Sequence, residues 1–151
     1  MTPVAMQRKL ERFFHRYAER FQRALDDPGG VDSEGVAASF ADYFSESGPE
    51  GVHGGKNGLK LKFMMKRGFA RYRKIGTRSM KVARIRVTPL DDRHAIAKVA
   101  WDSRYRRRKD GAHVRIAFEN LYFVRFLRGV PKIFAYIVGD ERALLKKHGL
   151  A

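Results

Sequence analysis

The chain has no cysteine, which excludes disulfides, thiolate nucleophiles and Cys-ligated zinc together. No apolar run approaches the roughly 20 residues that a membrane-spanning helix needs. Acid is scarce: 16 Asp and Glu stand against 32 Lys and Arg, for a net charge of +16. None of the acids falls between Glu50 and Asp91. The five histidines, at 15, 53, 94, 113 and 148, show no HxH or HxxxH spacing, so no metal site is expected. GVHGG at 51–55 lacks the lysine and hydroxyl of a phosphate loop, and no GxSxG nucleophile elbow occurs. No cofactor is expected either. The opening residues MTPVAMQRKLERF hold no apolar leader segment, so the expected location is the cytoplasm and a membrane partner is not expected.

What is present is enough for one domain over residues 1–151, with 44% hydrophobic residues to build a core. The apolar pattern changes period halfway. Met6, Leu10, Phe13, Phe14, Tyr17, Ala18, Phe21 and Leu25 recur at helix spacing, predicting a first helix over about 5–25. Pro28, Gly29 and Gly30 stop it. Asp32 or Ser33 then caps a second helix with Val36, Ala37, Phe40, Ala41 and Phe44 as its buried positions. Residues 46–58 hold five glycines and Pro49 and read as a loop, with at most a short strand near 44–47. A third helix spans about 59–74, where Gly68 is expected to mark a close approach to another element.

From about Met80 the residues alternate, predicting strands at about 79–90, 94–107, 112–127 and 132–138. Turns are expected at Asp91-Asp92, Lys109-Asp110-Gly111 and Arg128-Gly129, and Asp140 caps a short last helix. Helices followed by long antiparallel strands predict an α+β domain with a curved sheet wrapped over three N-terminal helices. Strand parity puts Val99, Trp101, Tyr105, Phe118, Asn120, Tyr122, Phe134 and Tyr136 on one face and Leu121, Phe123, Ile133 and Ile137 on the other. Helices cover the first face, so the second is expected to meet another copy of the chain in a homodimer.

Two stretches, SFADYFSESGPEGVHGG and NLYFVRFLRGVPKIFAYIVGDERALLKKHGL, resemble the nuclear-transport-factor-2-like superfamily, and the likeness covers nearly the whole chain. The superfamily includes ketosteroid isomerases, scytalone dehydratase and SnoaL-like cyclases. The resemblance implies a cystatin-like cone with a pocket between sheet and helices. The isomerase branch uses a helix-one tyrosine, an aspartate base just before a proline in the first strand, and an aspartic acid in the third long strand. Tyr17 matches the first, Asn120 stands at the third, and Gly48 occupies the place of the base. Glu46, two residues earlier on the same strand face, is the candidate substitute.

The catalytic candidates are therefore Tyr17, Glu46 and Asn120. Phe44, Met65, Trp101 and Tyr105 are ligand-binding candidates, with Tyr122 and Tyr136 beside them and Tyr17 and Asn120 serving both roles. His53 is a weaker base candidate at the loop. Each residue also has a plain packing reading, and the residues leave open whether the protein is an enzyme. The first functional reading is a pocket for a small, largely apolar molecule, with acid/base isomerisation, cyclisation or dehydration as its chemistry. The alternative is a non-enzymatic adaptor that holds nucleic acid or an acidic protein on its basic surface, through the basic face of the third helix and the RYRRRK hairpin at 104–109.

Overall fold

The structure is a computed structural model describing all 151 residues. Helix α1 (Pro3–Asp26) starts where the Thr2 hydroxyl accepts from the Ala5 amide, with Pro3 in the first turn, where a missing N–H costs nothing. A single 3₁₀ turn, Pro28–Gly30, leads to the short α2 (Ser33–Ala37), capped by the Asp32 carboxylate. Then come strands β1 (Phe40–Gly48) and β2 (Gly51–Lys56), helix α3 (Leu59–Ile75), strands β3 (Thr77–Pro89), β4 (His94–Arg106), β5 (His113–Leu127) and β6 (Val130–Ile137), and α4 (Glu141–Lys147). The strands form one sheet in the order β2-β1-β6-β5-β4-β3, antiparallel except for the β1–β6 pair.

The α+β class and curved sheet follow the sequence reading; four details differ. Phe40 and Phe44 belong to β1, not to the second helix, because residues four apart share a face in a strand as well as in a helix. Residues 51–56 form an edge strand instead of a loop, although every residue in it is exposed. Its pairing with β1 is backbone-made, so no hydrophobic alternation announces it. Gly68 has nothing within 4 Å of where a Cβ would stand, so no close approach explains it.

The fourth difference is a parity error. Phe123 pairs with Ala135 but Val124 pairs with Ile133, leaving Phe134 as an extra residue in β6. Past the bulge every side chain changes face. Ile133 is fully buried on the helix side, and Phe134 packs on the outer face against Phe123 and His94.

The core lies between α1 and the inner sheet face, where Met6, Leu10 and Phe14 meet Val99, Trp101, Tyr122 and Val124. A smaller cluster, Tyr105, Ile116, Leu145 and Leu150, fastens α4 over one end of the sheet. Gly76, at φ +93°, turns α3 into β3, and a Cβ there would meet the Arg106 carbonyl oxygen at 2.1 Å. Only glycine fits that junction.

Candidate functional site

Between the sheet and the helices lies a cavity of about 490 Å³, partly open to solvent and bordered by α4 and the β1–β2 turn. Strand register builds its wall. His53, Glu46, Tyr136, Tyr122 and Ala97 are successive partners across β2, β1, β6, β5 and β4, so they form one row on the inner face. Asn120 stands two residues along β5 from Tyr122, opposite Val99, in the next row on the same face.

Two short hydrogen-bonded groups organise this wall. Tyr136 donates its hydroxyl to Glu46 Oε2 at 2.8 Å. The Tyr122 hydroxyl accepts from Trp101 Nε1 at 3.2 Å and from Asn120 Nδ2 at 3.3 Å. An oxygen that already accepts two hydrogen bonds keeps its own proton free to donate into the cavity. Tyr17 completes the wall from α1, with its ring 6.3 Å from Trp101 and 6.4 Å from Phe40.

The phenols are held in their neutral form. Burial pushes the Tyr17 hydroxyl far up, and the neighbouring Tyr122 and Glu46 add to it. Tyr136 is raised by burial and then by the Glu46 carboxylate. Burial raises Tyr122 as well, partly offset by the bonds from Asn120 and Trp101. Three neutral hydroxyls and one carboxylate therefore face a shared aromatic space, a set able to donate hydrogen bonds to one end of a molecule and accept a proton at the other.

The mouth is built by residues the sequence reading did not select. Tyr72 of α3 donates to the Glu141 carboxylate of α4 at 2.9 Å, and burial followed by Glu141 raises its hydroxyl. Arg142 pairs with Glu50 at 3.6 Å, tying α4 to the β1–β2 turn. Tyr72 sits on the apolar stripe of α3, but no local pattern says that α4 folds back onto it. His53 is exposed at the same mouth. Gly48 borders it too, and a Cβ at that position would stand 3.0 Å from Val138 Cγ2, so the place of the isomerase base is crowded as well as empty.

Of the sequence-derived candidates, Tyr17, Glu46, Trp101, Tyr105, Asn120, Tyr122 and Tyr136 all line the cavity. Phe44 and Met65 do not. Phe44 packs tilted against Phe40, with ring centres 4.9 Å apart, at the edge of the core, because the chain is a strand there. Met65 borders an adjoining apolar cavity of about 170 Å³ under α3, which shares Tyr17, Phe21, Phe40, Tyr72 and Tyr136 with the first. No group of three or more potential metal-binding side chains is present.

A family described as NTF2-like protein (DUF6841) matches residues 8–140. The chain belongs to this family. Similar solved structures include Aln2 from a Streptomyces species, at 14% identity and TM-score 0.65, covering 97% of this chain and 98% of that one. A Nostoc punctiforme protein of unknown function with a cystatin-like fold is 18% identical at TM-score 0.58, with 92% of each chain covered. A ketosteroid isomerase-like protein from Erwinia carotovora atroseptica is 17% identical at TM-score 0.53, covering 81% of this chain and 88% of that one. At these identities the likeness is one of fold. No curated protein matches the chain. The NTF2-like cone is consistent with a ligand-binding domain, and no helix is long and apolar enough to cross a membrane.

Proposed function

We propose that the cavity binds a small, largely apolar carbonyl compound and that Glu46 acts there as a general base. The row Glu46–Tyr136–Tyr122 carries this reading. Glu46 and Tyr122 stand two strands apart, about 10 Å between their Cα atoms. Both side chains reach into the cavity, and the reading places the carbonyl oxygen at the Tyr122 hydroxyl, the adjacent α-carbon against the Glu46 carboxylate and the rest of the ring in the aromatic space. Tyr136 occupies one carboxylate oxygen and leaves the other free to take a proton. The enolate oxygen that forms receives the Tyr122 proton as a hydrogen bond, with Tyr17 as a second donor from the helix side. The volume falls in the usual range for small-ligand sites; Tyr17, Trp101, Tyr122 and Tyr136 give an aromatic inner wall, and charged residues such as Glu50, Arg71, Glu141 and Arg142 also line the cavity.

Proton exchange separates this reading from simple binding. Cyclic enones and aryl ketones are first screened by thermal shift, and those that bind are incubated with the protein in D₂O. Deuterium uptake at the α-carbon is followed by NMR. Uptake is expected to fall about 10²–10⁴-fold in Glu46→Gln, with the thermal shift retained. Equal uptake in the variant refutes the base assignment, and no binding by any carbonyl compound refutes the site.

A further inference from the structure

Helix α3 exposes an arc that neither the cavity nor the sheet explains. Leu59 is 83% exposed, Phe63 61% and Met64 58%. At about 100° per residue, Leu59, Phe63 and Ala70 lie within about 40° of one another on the solvent side. Lys66 flanks them on one edge, and Lys60, Arg67 and Lys74 on the other. The helix carries seven bases and no acid. Two of the seven have protein partners: Lys62 pairs with Glu34, and Arg73 donates to the Ala24 carbonyl. Lys60, Lys66, Arg67, Arg71 and Lys74 have no carboxylate within ion-pair distance. The Arg67 guanidinium instead lies over the Phe63 ring, 5.9 Å from its centre.

The opposite side of the helix is lightly held. Phe69 is its one buried side chain among 17 residues, whereas α1 buries six. Periodicity alone predicts α3 to be apolar inward and basic outward, but its outward arc mixes both. Bases alone would suit any polyanion, and exposed apolar side chains alone would suit a protein groove. An apolar apex flanked on both edges by long bases suits one environment, a headgroup layer where the apex enters the acyl boundary and the bases reach lipid phosphates. The chain from Gly51 to Leu90 holds no carboxylate, and the exposed Glu34 beside α3 is paired with Lys62.

We propose that α3 docks on an anionic membrane surface, lying in its plane with Leu59 and Phe63 inserted and Lys60, Lys66, Arg67 and Lys74 paired with lipid phosphates. A helix of 17 residues is about 25 Å long, too short and too charged to span the bilayer, so this is peripheral docking. It revises the expectation of no membrane partner, which rested on the missing spanning run and did not bear on surface binding.

Co-sedimentation with phosphatidylcholine vesicles, with and without about a quarter phosphatidylserine, tests the proposal at about 150 mM salt. Binding is expected only with phosphatidylserine. Lys66→Ala and Arg67→Ala each lower partitioning roughly fivefold. Leu59→Ser with Phe63→Ser lowers it by roughly tenfold or more. Arg86→Ala with Arg93→Ala, at the sheet corner by the β3–β4 turn and at the other end of the hairpin from the α3–β3 junction, leaves it unchanged. Phe63→Trp gives a blue-shifted emission that brominated acyl chains quench; the buried Trp101 supplies the constant background. The proposal is overturned if the wild type stays in the supernatant, if the Leu59/Phe63 variant binds as well as wild type, or if the sheet-corner variant loses binding equally. Unshifted Phe63→Trp emission, or tighter retention on RNA of equal phosphate concentration, overturns it as well.

Discussion

Tyr136 and Glu46 are joined by a 2.8 Å hydrogen bond across the parallel β1–β6 pair. The pairing brings together residues 90 positions apart in sequence, and it orients the carboxylate of the Glu46–Tyr136–Tyr122 row. Tyr136→Phe removes the donor and lets the Glu46 side chain choose other rotamers. The variant is expected to lose about 1 kcal/mol of stability, below the roughly 1.5–3 kcal/mol of a bond to a charged group because Glu46 is half exposed. Deuterium uptake should fall about tenfold, less than in Glu46→Gln. Chemical denaturation and the D₂O assay measure the two effects.

The Tyr122 hydroxyl holds two donors at once, so Tyr122→Phe leaves the Trp101 indole N–H without an acceptor among buried neighbours. Destabilisation of about 2 kcal/mol is expected from the stranded donor. Trp101→Phe removes that donor but opens space in the core. The double variant should therefore be more stable than the two single losses add up to. Additive losses in urea melts would mean that the bond to Tyr122 contributes little.

The lining of the candidate cavity was more legible in the sequence than the strands that frame it. Trp101, Asn120 and Tyr122 share a face by simple alternation in long strands, and Tyr17 lies on the stripe of a helix that has to cover that face. Glu46 could be placed only by likeness, since β1 is polar at that end and β2 has no apolar pattern. Its bond to Tyr136 depends on a long-range parallel pairing that no local signal encodes. Simple parity puts Phe134 on the wrong face because a bulge has no hydrophobic signature. Tyr72 and Glu141 meet only because α4 folds back over the sheet end.

The outer sheet face offers a separate test. Ile96 pairs with Phe123 and Leu121 pairs with Ile137 across neighbouring strands, and Phe134 adds to the same half-exposed patch. We propose a second copy of the chain as its occupant, with Ile133 no longer part of the contact. Leu121→Asp places a charge in the middle of the patch. Sedimentation equilibrium at micromolar protein is expected to give a dimer for the wild type and a monomer or aggregate for the variant. A monomeric wild type would remove the proposal.

Acid should act late at the β4–β5 tip. The Arg107 guanidinium, bonded to both Asp110 oxygens, and the Ala112 amide hold the Asp110 carboxyl down at about 2, from an ordinary value of 3.8. A folded-state value below the unfolded one contributes stability that is fully present above about 3.8 and is lost as the pH falls through about 2. The tie also locates the C-terminal end, because Arg107 Nη1 donates to the His148 carbonyl at 2.9 Å. NMR titration of the Asp110 carboxyl should give a midpoint near 2, and Arg107→Ala should move it up towards 3.8.

The RYRRRK run at 104–109 decides how far the adaptor reading can go. Arg107 is committed to Asp110 and His148, and Arg108 donates to the Arg73 carbonyl at 2.7 Å and the Lys74 carbonyl at 3.3 Å, capping the end of α3. Arg104 lies 3.6 Å from Asp102. Three of the five bases thus have structural partners, which leaves Arg106 and Lys109 to meet a polyanion. Two charges release few counterions, so RNA or DNA binding through this tip should be weak, about 10⁻⁴–10⁻⁶ M, and should collapse as salt rises. Arg106→Ala with Lys109→Ala should therefore change affinity little against the background of a +16 chain. Filter binding between low and physiological salt checks this. Submicromolar binding that survives about 150 mM salt and disappears in that variant would make the tip a nucleic-acid site after all.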